Sequence, residues 1–381
     1  MISLSEVLGD LRDLVECESP SDDLAAVARS AEVLARVGTR RLGVEPERIV
    51  IEGRTHLRWR LGSGPTEVLL LGHHDTVWPL GSLATRPFSV EAGIIRGPGC
   101  FDMKAGVVMA LHAAAELPDR DGVTILVTGD EELGSPSSRA LIEQEAAGAS
   151  AALVLEASAD DGALKTERKG VSVYDVLVQG RSAHAGLEPE LGVNATLELA
   201  HQALAVSRLG DPELGTTVTP TAARAGTTTN TVPAQGSFSV DVRVISRTEQ
   251  DRVDAAMRGL RAVLPGASLD LVGGANRPPL EAAASQALFE QARTTARALG
   301  LPDLTCASVG GASDGNFTAG VGTPTLDGLG AVGGGAHAEH EHVVLDQLVP
   351  RTTLLAALVT DLLARRSVAT NRVHATGGPR P

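Results

Sequence analysis

The order of apolar and helical segments constrains the fold of this chain more than any other feature of its sequence. In the first 160 residues short apolar runs alternate with stretches of helical periodicity. Strands alternating with helices are typical of an α/β layer with a mixed or parallel sheet. The expected segments are helices at 5–16, 22–43, 104–116 and 136–147, and strands near 47–52, 56–60, 67–72, 123–128 and 151–156.

The pattern changes at Gly170, where "GVSVYDVLVQG" alternates as a half-exposed strand. The next segments are a helix at 192–207, strands near 216–225 and 236–244, a helix at 247–263 and a strand at 267–272. This β-α-β-β-α-β order is the ferredoxin-like arrangement. After Arg277 the α/β pattern resumes with a helix at 283–299, short strands near 304–308 and 323–326, and a long helix at 346–365. We expect the tail from residue 367 to be disordered or loosely packed.

These segments predict two domains, as does the length of 381 residues with 43% hydrophobic content. The larger α/β domain is expected to be discontinuous, formed by residues 1–168 and 280–381. The smaller α+β domain, residues 169–279, is expected to be inserted into it.

Composition excludes several classes of protein. A formal net charge of −14 argues against nucleic-acid binding, which needs clustered basic residues. The longest apolar runs, such as "AGVVMALHAAA", are too short to cross a bilayer. The three cysteines, Cys17, Cys100 and Cys306, are widely spaced and give no disulfide framework, which suits a reducing cytoplasm.

Polar side chains follow the apolar strand in "VLLLGHHDTVW". Because successive strand residues face opposite sides, His73 and Asp75 are expected on one side and His74 on the other. A carboxylate behind an imidazole is a common way to orient a metal-binding histidine.

Other polar residues also stand at the ends of predicted strands or in glycine-rich turns. Ligands of open α/β sheets bind outside the carboxyl ends of the strands, so we expect these side chains to meet at one rim. Singly, an acidic triplet after a strand is commonly a solvated loop, and a glycine-rich turn before a helix is commonly a cap. The occurrence of all these polar residues in one chain favours a functional site at this rim. The residues are Asp102 in "GPGCFDMKAG", Asp130, Glu131 and Glu132 in "TGDEELGS", Glu156 in "ALVLEAS" and His337 in "GGGAHAEHEHV".

Crowded carboxylates repel each other and need a counter-charge. Asp102, Glu132 and Glu156 carry three negative charges, which together with a hydroxide balance two divalent cations. Imidazole and carboxylate ligands without a thiolate suit a pair of Zn²⁺ ions, with Co²⁺ or Mn²⁺ as alternatives. Such a pair holds a hydroxide and polarises a carbonyl group.

Taken in order, the motifs resemble the di-zinc metallopeptidase family of glutamate carboxypeptidase (carboxypeptidase G), acetylornithine deacetylase and succinyl-diaminopimelate desuccinylase. The motifs are "GHHDTV", "GPGCFDMKAG", "GDEELGS", "LVLEAS", "GRSAHAGLEPELGVNA" and "GGGAHAEHEHV". The likeness is closest to the carboxypeptidase G branch and extends from about residue 5 to 365. It implies an α/β catalytic domain with a mixed sheet flanked by helices, and an inserted ferredoxin-like lid and dimerisation domain that pairs in a homodimer.

The resemblance also implies roles for individual residues. The implied metal ligands are His73, Asp102 (bridging), Glu132, Glu156 and His337, and the implied catalytic residues are Glu131 as general base, Asp75 behind His73, and His184 as oxyanion stabiliser in its own or the partner subunit. The implied substrate-binding residues are Asn230, Arg243 and Arg277, and Ser313 and Asp314 in "GGASDGN" are expected to support the site. Arg243 could equally be structural.

Two departures from the family pattern remain. His340 and His342 compete with His337 for the ligand role, although the spacing to Glu341 and Val343 favours His337. Cys100 stands two residues before Asp102, and we expect it to pack in the turn.

These residues predict a hydrolase that cleaves amide bonds with a hydroxide held between the metals. Glu131 would remove the proton from the water and later protonate the leaving amine. The first hypothesis is an exopeptidase that releases a C-terminal amino acid, glutamate being one option, from an N-acyl or peptidyl substrate. The second is an N-acyl amino acid deacylase of the acetylornithine or succinyl-diaminopimelate type. A metal-free binding protein that retains the fold is the alternative from another class.

Overall fold

The computed structural model describes the backbone of residues 1–375 and the side chains of residues 1–365. Helices account for much of this described part. They are α1 (Leu4–Val15), α2 (Leu24–Leu42), α3 (Ala105–Glu116), α4 (Arg139–Ala146), α5 (Ala195–Ser207), α6 (Arg247–Arg258), α7 (Ala282–Ala298), α8 (Gly315–Gly320) and α9 (Leu348–Ala375).

Strands lie between the helices along the whole chain. They are β1 (Glu47–Ile51), β2 (Arg54–Leu61), β3 (Val68–His73), β4 (Ser89–Glu91), β5 (Ile94–Arg96), β6 (Val123–Thr128), β7 (Ala151–Val154), β8 (Leu164–Arg168), β9 (Gly170–Gln179), β10 (Ala183–His184), β11 (Thr217–Ala225), β12 (Thr231–Val232), β13 (Gln235–Val244), β14 (Ser268–Arg277), β15 (Cys306–Val309), β16 (Thr325–Leu326), β17 (Gly333–Gly334) and β18 (His342–Val344).

The chain divides into two compact units. The first unit contains Met1–Glu167, Ala282–Val309 and the described residues from Ser313 onward. The second contains Arg168–Glu281 and Gly310–Ala312.

The first unit is built on a mixed six-stranded sheet of order β1-β2-β6-β3-β7-β16. The four strands β6, β3, β7 and β16 run parallel, whereas β1 and β2 pair antiparallel. Every residue of β3, β6 and β7 is buried. Such continuous apolar strands are expected where helices cover both faces of a sheet.

Alternate residues of β3 pack into different cores. Val68 and Leu70 belong to the large core that includes residues of α1, α2, α3 and α9. Leu69 and Leu71 pack on the opposite face with residues of α4 and with Phe317 of α8. The period of two along the strand therefore assigns each side chain to one of the two layers.

A close approach places α3 against the end of β7. A Cβ atom at Gly106 would lie 1.9 Å from the carbonyl oxygen of Leu155, so only glycine permits this contact. The contact brings the start of α3, and the turn that holds Asp102, next to the segment that holds Glu156. Because β3, β6 and β7 are parallel, their carboxyl ends share one rim.

The second unit contains an antiparallel sheet of order β11-β13-β9-β14 with helices α5 and α6. Asn194 caps α5 and Ser246 caps α6 through their side chains. The core of this unit includes Tyr174, Phe238 and Val240. The predicted fold class, a mixed-sheet α/β domain with a ferredoxin-like α+β insertion, is confirmed.

The structure differs from the predicted elements in some places. Helix α6 ends at Arg258 rather than at residue 263, since the backbone N–H groups of Val263 and Leu264 bind the carboxylate of Glu198 at 3.0 and 2.7 Å. Strand β14 continues to Arg277 because it stays paired with β9. The short strands β4, β5, β8, β10, β12, β17 and β18 were not predicted.

The C-terminal helix also extends further than predicted. Helix α9 continues beyond residue 365 to Ala375. The tail from residue 367 was predicted to be disordered or loosely packed, but its backbone is helical as far as Ala375. The packing of its side chains, and residues 376–381 altogether, lie outside the described residues. Within the described part, no helix is both long and apolar enough to span a bilayer.

Candidate metal centre

The parallel strands of the first unit bring a histidine and two glutamates together at their carboxyl ends. His73 is the last residue of β3, Glu131 lies in the turn that follows β6, and Glu156 lies two residues after β7. One ligand atom from each of these three residues lies within 4.8 Å of the other two. All three side chains are buried. The rim predicted from the strand ends is therefore present.

Asp102 lies between two imidazoles. Its Oδ1 atom is 3.3 Å from Nε2 of His73, and its Oδ2 atom is 3.3 Å from Nε2 of His337. His337 Nε2 is also 3.1 Å from Oε2 of Glu132, and His73 Nε2 is 3.7 Å from Oε1 of Glu156. The arrangement is thus two groups, His73 with Glu156 and His337 with Glu132, joined by the two oxygens of one carboxylate.

The charges of this cluster are not balanced by its own residues. Burial lowers the pKa of His73, but Asp102 and Asp75 raise it well above its usual value. Asp102 and Glu132 raise the pKa of His337 to about 10. Burial would raise the pKa of Asp102, yet its contacts with His337 and His73 hold it well below the usual range. Both imidazoles are drawn towards the cationic form because the carboxylates outnumber them.

The donor atoms fit divalent cations. Nε2 of His73 is buried and makes no hydrogen bond to any described residue, whereas Nδ1 of the same ring lies 3.0 Å from the backbone oxygen of Asp75. An imidazole held through one nitrogen, with the other aimed at carboxylates, is the usual form of a metal ligand. Two imidazoles and several carboxylates without a thiolate are a donor set for a pair of hydrolytic divalent ions.

Cys100 does not belong to this donor set. It is fully buried, its sulfur lies 3.9 Å from the backbone oxygen of Ile95, and burial raises the pKa of its thiol. The thiol packs in the turn, as predicted from the sequence.

Asp75 connects His73 with the two glutamates. Its Oδ1 lies 3.4 Å from Nδ1 of His73, and its carboxylate accepts the backbone N–H groups of Glu131 and Glu132, each at 3.3 Å. Ser21 donates a further hydrogen bond of 2.6 Å. Asp75 therefore orients the imidazole and fixes the backbone from which both glutamates project.

His74 faces away from the cluster, as the alternation of strand residues predicted. Its ring contacts Oγ of Ser30 at 3.1 Å and the backbone oxygen of Thr55 at 3.0 Å. Burial lowers the pKa of His74 to about 4, so the ring is neutral at pH 7. His74 is a structural residue between α2 and β2.

The acidic residues around the 129–138 loop have different partners. Asp130 accepts hydrogen bonds from the backbone N–H and the hydroxyl of Ser137 at 2.7 and 2.6 Å, so it orders the loop. Asp314 accepts hydrogen bonds from Thr128 and Ser135 at the two ends of the turn. Ser313 donates to Asp327 at 2.6 Å. The 313–314 segment therefore supports the loop that carries Glu131 and Glu132.

His337 reaches the cluster from an unusual backbone conformation. Its φ is 62°, in the left-handed region that residues other than glycine rarely adopt. Strain of this kind costs about 1–3 kcal/mol and is concentrated at functional sites. His340 and His342 do not contact Asp102 or Glu132; Nδ1 of His342 instead lies 2.9 Å from the backbone oxygen of His340. The geometry favours His337 among the three histidines.

Glu341 was not predicted to have a role in the site. It is buried, and its carboxylate accepts the backbone N–H groups of Gly99, Phe101 and Asp102 at 3.0, 2.9 and 3.1 Å. The indole N–H of Trp78 donates a fourth hydrogen bond of 2.7 Å. Glu341 thus ties the turn of Asp102 to the segment of His337. The only signal in the sequence is an acidic residue four positions after His337, next to an apolar strand.

Four predicted site residues belong to the second unit. His184 is exposed, its Nδ1 accepts the backbone N–H of Gly186 at 3.2 Å, and the carbonyl of Asn230 accepts the neighbouring N–H of Ala185 at 2.9 Å. The pairing of β10 with β12 therefore keeps His184 and Asn230 on adjacent segments.

The two arginines of the second unit have different surroundings. Strand register places Arg243 and Arg277 on either side of Val171 in β9. Arg243 already holds Asp241, with its Nε and Nη2 each 2.9 Å from a carboxylate oxygen, which is the structural alternative considered for this residue. Arg277 is buried at the end of β14, where its carbonyl accepts a hydrogen bond of 2.9 Å from Gln250.

Two sequence comparisons with known proteins match most of this chain. The model of peptidase family M20/M25/M40 matches residues 69–361. Carboxypeptidase G2 of Pseudomonas sp. (strain RS-16) is 33% identical over 299 residues, which cover 74% of this chain and 70% of that protein.

Solved structures of low sequence identity share the fold. Aminopeptidase PepT from Bacillus cereus superposes with a TM-score of 0.73 at 21% identity and covers 95% of this chain and 99% of its own. The M20 family metallo-carboxypeptidase Sso-CP2 from Sulfolobus solfataricus gives a TM-score of 0.68 at 17% identity, with 93% and 98% covered. The prediction of an amide-bond hydrolase of the metallopeptidase type is confirmed. This chain belongs to peptidase family M20/M25/M40.

Proposed function

We propose that this chain is a metal-dependent exopeptidase of the carboxypeptidase type, which releases a C-terminal amino acid from N-acyl or peptidyl substrates. The observation that carries the proposal is the position of Asp102 between His73 and His337, each 3.3 Å away, with Glu131 beside His73. The similarity to carboxypeptidase G2 supports the substrate class. The proposed cofactor is a pair of Zn²⁺ ions, with Co²⁺ or Mn²⁺ as alternatives.

In the proposed reaction, the cations would be held by His73, Glu156, His337 and Glu132 together with the carboxylate of Asp102. Bound cations supply Lewis-acid polarisation of the scissile carbonyl and make water more acidic. Glu131 takes one proton from the attacking water as its oxygen bonds to the carbonyl carbon. The carbon–nitrogen bond then breaks, and Glu131 returns the proton to the leaving amine. The backbone N–H of Glu131 donates a hydrogen bond to Asp75, and this bond holds the general base in place.

The second unit is proposed to recognise the substrate. Arg277 would bind the free α-carboxylate of the leaving residue, a task that suits the guanidinium fork, with Asn230 and Arg243 as further contacts. The pair that Arg243 forms with Asp241 makes Arg277 the stronger candidate. His184 would donate a hydrogen bond to the oxyanion, in its own or the partner subunit.

A substrate panel tests this function. Enzyme reconstituted with Zn²⁺ or Co²⁺ would be assayed on N-acyl amino acids, dipeptides, N-acetylornithine and N-succinyl-diaminopimelate, each also with its α-carboxylate amidated. We expect turnover of the acyl and peptidyl free acids and little turnover of the amides. Preference for the two biosynthetic substrates would support the deacylase alternative, and no turnover of any substrate in metal-loaded protein would support the binding-protein alternative.

We also propose that the second units pair to form a homodimer. Strand β11 is an edge strand of the sheet and is almost entirely exposed, so its backbone groups can pair with another chain. On the neighbouring helix α5, Leu197 and Leu204 are 54% and 61% exposed. Light scattering at micromolar concentration tests the dimer, and we expect Leu204→Glu to yield monomer. A monomeric wild-type protein would contradict the pairing.

A further inference from the structure

A cavity in the first unit is separate from the metal centre and unused by the proposed reaction. Its volume is about 360 Å³, within the range of small-molecule sites. Its walls come from the loop 301–305, from Val332 and Val344, and from the first turns of α9, where Arg351 and Leu354 lie.

Arg351 is a buried cation without an anionic partner. It is 6% exposed, and its Nη1 and Nη2 donate to the backbone oxygens of Gly162 and Gly328 at 3.1 and 2.6 Å. Nε makes no hydrogen bond, and no carboxylate among the described residues lies within ion-pair distance of the guanidinium. Burial alone lowers the pKa of Arg351 to about 10, so it stays charged at pH 7. Charged side chains buried to this degree are nearly always paired.

The surroundings of Arg351 favour an anion with an apolar body. Arg351 lies in the first turn of α9, whose N-terminal end carries a partial positive charge. Leu304, Val332, Val344 and Leu354 provide apolar walls. At the rim, Asp303 is already paired with Arg293 and Arg297, and Asp161 is exposed.

We propose that this cavity binds a small carboxylate with an aliphatic side chain, the carboxylate pairing with Arg351 and the aliphatic part contacting the leucines and valines. Two sources share this chemistry. One is a free aliphatic α-amino acid, whose ammonium group would meet Asp161. The other is a simple aliphatic carboxylic acid, which has no use for Asp161.

The cavity lies at the base of the segment that carries His337 and Glu341, so a ligand in the cavity would contact a segment of the metal centre. The backbone N–H of Val344 donates to the backbone oxygen of Val332 at 2.8 Å, which closes the base of the segment that carries His337 and Glu341. A ligand against these two valines therefore contacts both ends of that segment.

Isothermal titration of the full-length, metal-loaded protein with four matched compounds tests the site. L-leucine, 4-methylpentanoate, 4-methylpentanamide and 3-methylbutylamine share the aliphatic group but differ in their charges. We expect both carboxylates to bind at least roughly tenfold more tightly than the neutral amide or the amine, because a charge-assisted hydrogen bond is lost without the carboxylate. Tighter binding of leucine than of 4-methylpentanoate identifies the amino acid as the ligand, and the reverse order identifies the simple acid.

Matched variants separate this site from the proposed substrate anchor. Gln347 is exposed at the cavity rim four residues before Arg351, so Gln347→Glu should weaken carboxylate binding and Gln347→Lys should strengthen it. Thr305→Trp should block the cavity, and Arg351→Met, if it folds, should abolish binding. Arg277→Ala should leave this binding unchanged.

Three results would overturn the proposal. The first is equal affinity for the acid and the amide, and the second is no measurable heat for either carboxylate. The third is carboxylate binding that disappears in Arg277→Ala but is unaffected by the Gln347 and Thr305 variants, which would place the ligand at the proposed substrate anchor. Since the Gln347 pair changes only exposed charge, the test does not depend on the folding of Arg351→Met.

Discussion

Two buried clusters of acids and histidines in the first unit have opposite charge balances. In one, Asp10 contacts three basic side chains from α2 and α3: Nε2 of His112 at 2.8 Å, Nη2 of Arg40 at 2.6 Å, and Arg41. In the other, Asp102, Glu131, Glu132 and Glu156 surround only two imidazoles. Basic side chains of the chain surround the acid of the first cluster, whereas in the second the four carboxylates outnumber the two imidazoles, as expected of a cation site.

The difference is one of role as well as charge. Asp10 links α1 to α2 and α3 in the helical layer, where its contacts with basic side chains stabilise the packing of the three helices. The acids of the metal centre project from strand ends and turns, where a ligand can reach them. We infer from this comparison that a buried cluster is a candidate ligand site when its carboxylates outnumber its basic side chains.

The largest expected effect separates the two neighbouring glutamates of the metal centre. Glu131→Gln should keep both metals and the fold but lose proton transfer, which lowers the turnover rate roughly 10²–10⁴-fold. Glu132→Gln should lose metal affinity and activity together, because Glu132 contacts His337 directly. Metal content and turnover measured for both variants under the same conditions check this. Metal loss in the Glu131 variant with full occupancy in the Glu132 variant would mean that the two roles are reversed.

Chelation tests the need for external cations. If divalent ions are held at 100 to 1,000 times their dissociation constant, their removal should lower the free energy of unfolding by about 2.7–4.1 kcal/mol. Thermal unfolding with and without chelator, repeated in Glu132→Gln, measures the effect. The variant should respond less than the wild type. An identical melting temperature in all four samples would contradict a metal-dependent cluster.

Acid stability tests the self-neutralised cluster. Burial would raise the pKa of Asp10, but His112, Arg41 and Arg40 hold it well below the usual value of about 3.8. A depressed folded-state pKa stabilises the protein above the unfolded-state pKa, and this stabilisation is lost as the pH falls below about 4. Asp10→Asn should therefore lower the free energy of unfolding at pH 7 by about 1.5–3 kcal/mol, with a smaller difference from wild type in acid.

Asp13 offers a matched control for that experiment. It pairs with the same Arg40 at 3.0 Å, but its side chain is 50% exposed. Asp13→Asn should cost less than about 1 kcal/mol. Denaturant unfolding of both variants with chelator present distinguishes the clusters, because neither effect should depend on metal. If Asp10→Asn and Asp13→Asn lowered the free energy of unfolding equally, burial of the carboxylate would not determine how much this cluster stabilises the protein.

The smallest expected effect at the metal centre concerns the residue that ties its two sides together. Glu341→Gln should weaken metal affinity roughly 10–100-fold, as the loss of an outer hydrogen-bonding partner commonly does, because an amide cannot accept all three backbone N–H groups equally well. Glu339→Gln is the control, since the Glu339 side chain is 94% exposed in the same segment. Competition with a metal indicator gives the affinities, and rescue by Glu341→Asp would support positioning. Equal metal affinities of the wild type and Glu341→Gln would mean that Glu341 does not position the metal ligands.

The sequence by itself determined the fold class and the residues at the rim. Continuous apolar runs predicted β3, β6 and β7 because a strand covered on both faces has no polar side to display, and the polar residues that end them, such as His73, follow directly. The alternation of Gly170–Gln179 and the order of the following segments likewise predicted the ferredoxin-like sheet. These features depend on hydrophobic periodicity over a few neighbouring residues, and this periodicity is visible in the local sequence.

Only the tertiary structure decided which loop residues meet. The short strands β5 and β18 pair across more than two hundred positions, and neither has an apolar period long enough to be recognised. The contact of Glu341 with the turn of Asp102 follows from that pairing. The spacing of the motif already favoured His337 over His340 and His342, but its contact with Asp102 and its left-handed backbone are visible only in the structure. Local sequence specifies which face of an element is buried, whereas contacts between distant loops depend on the path of the whole chain.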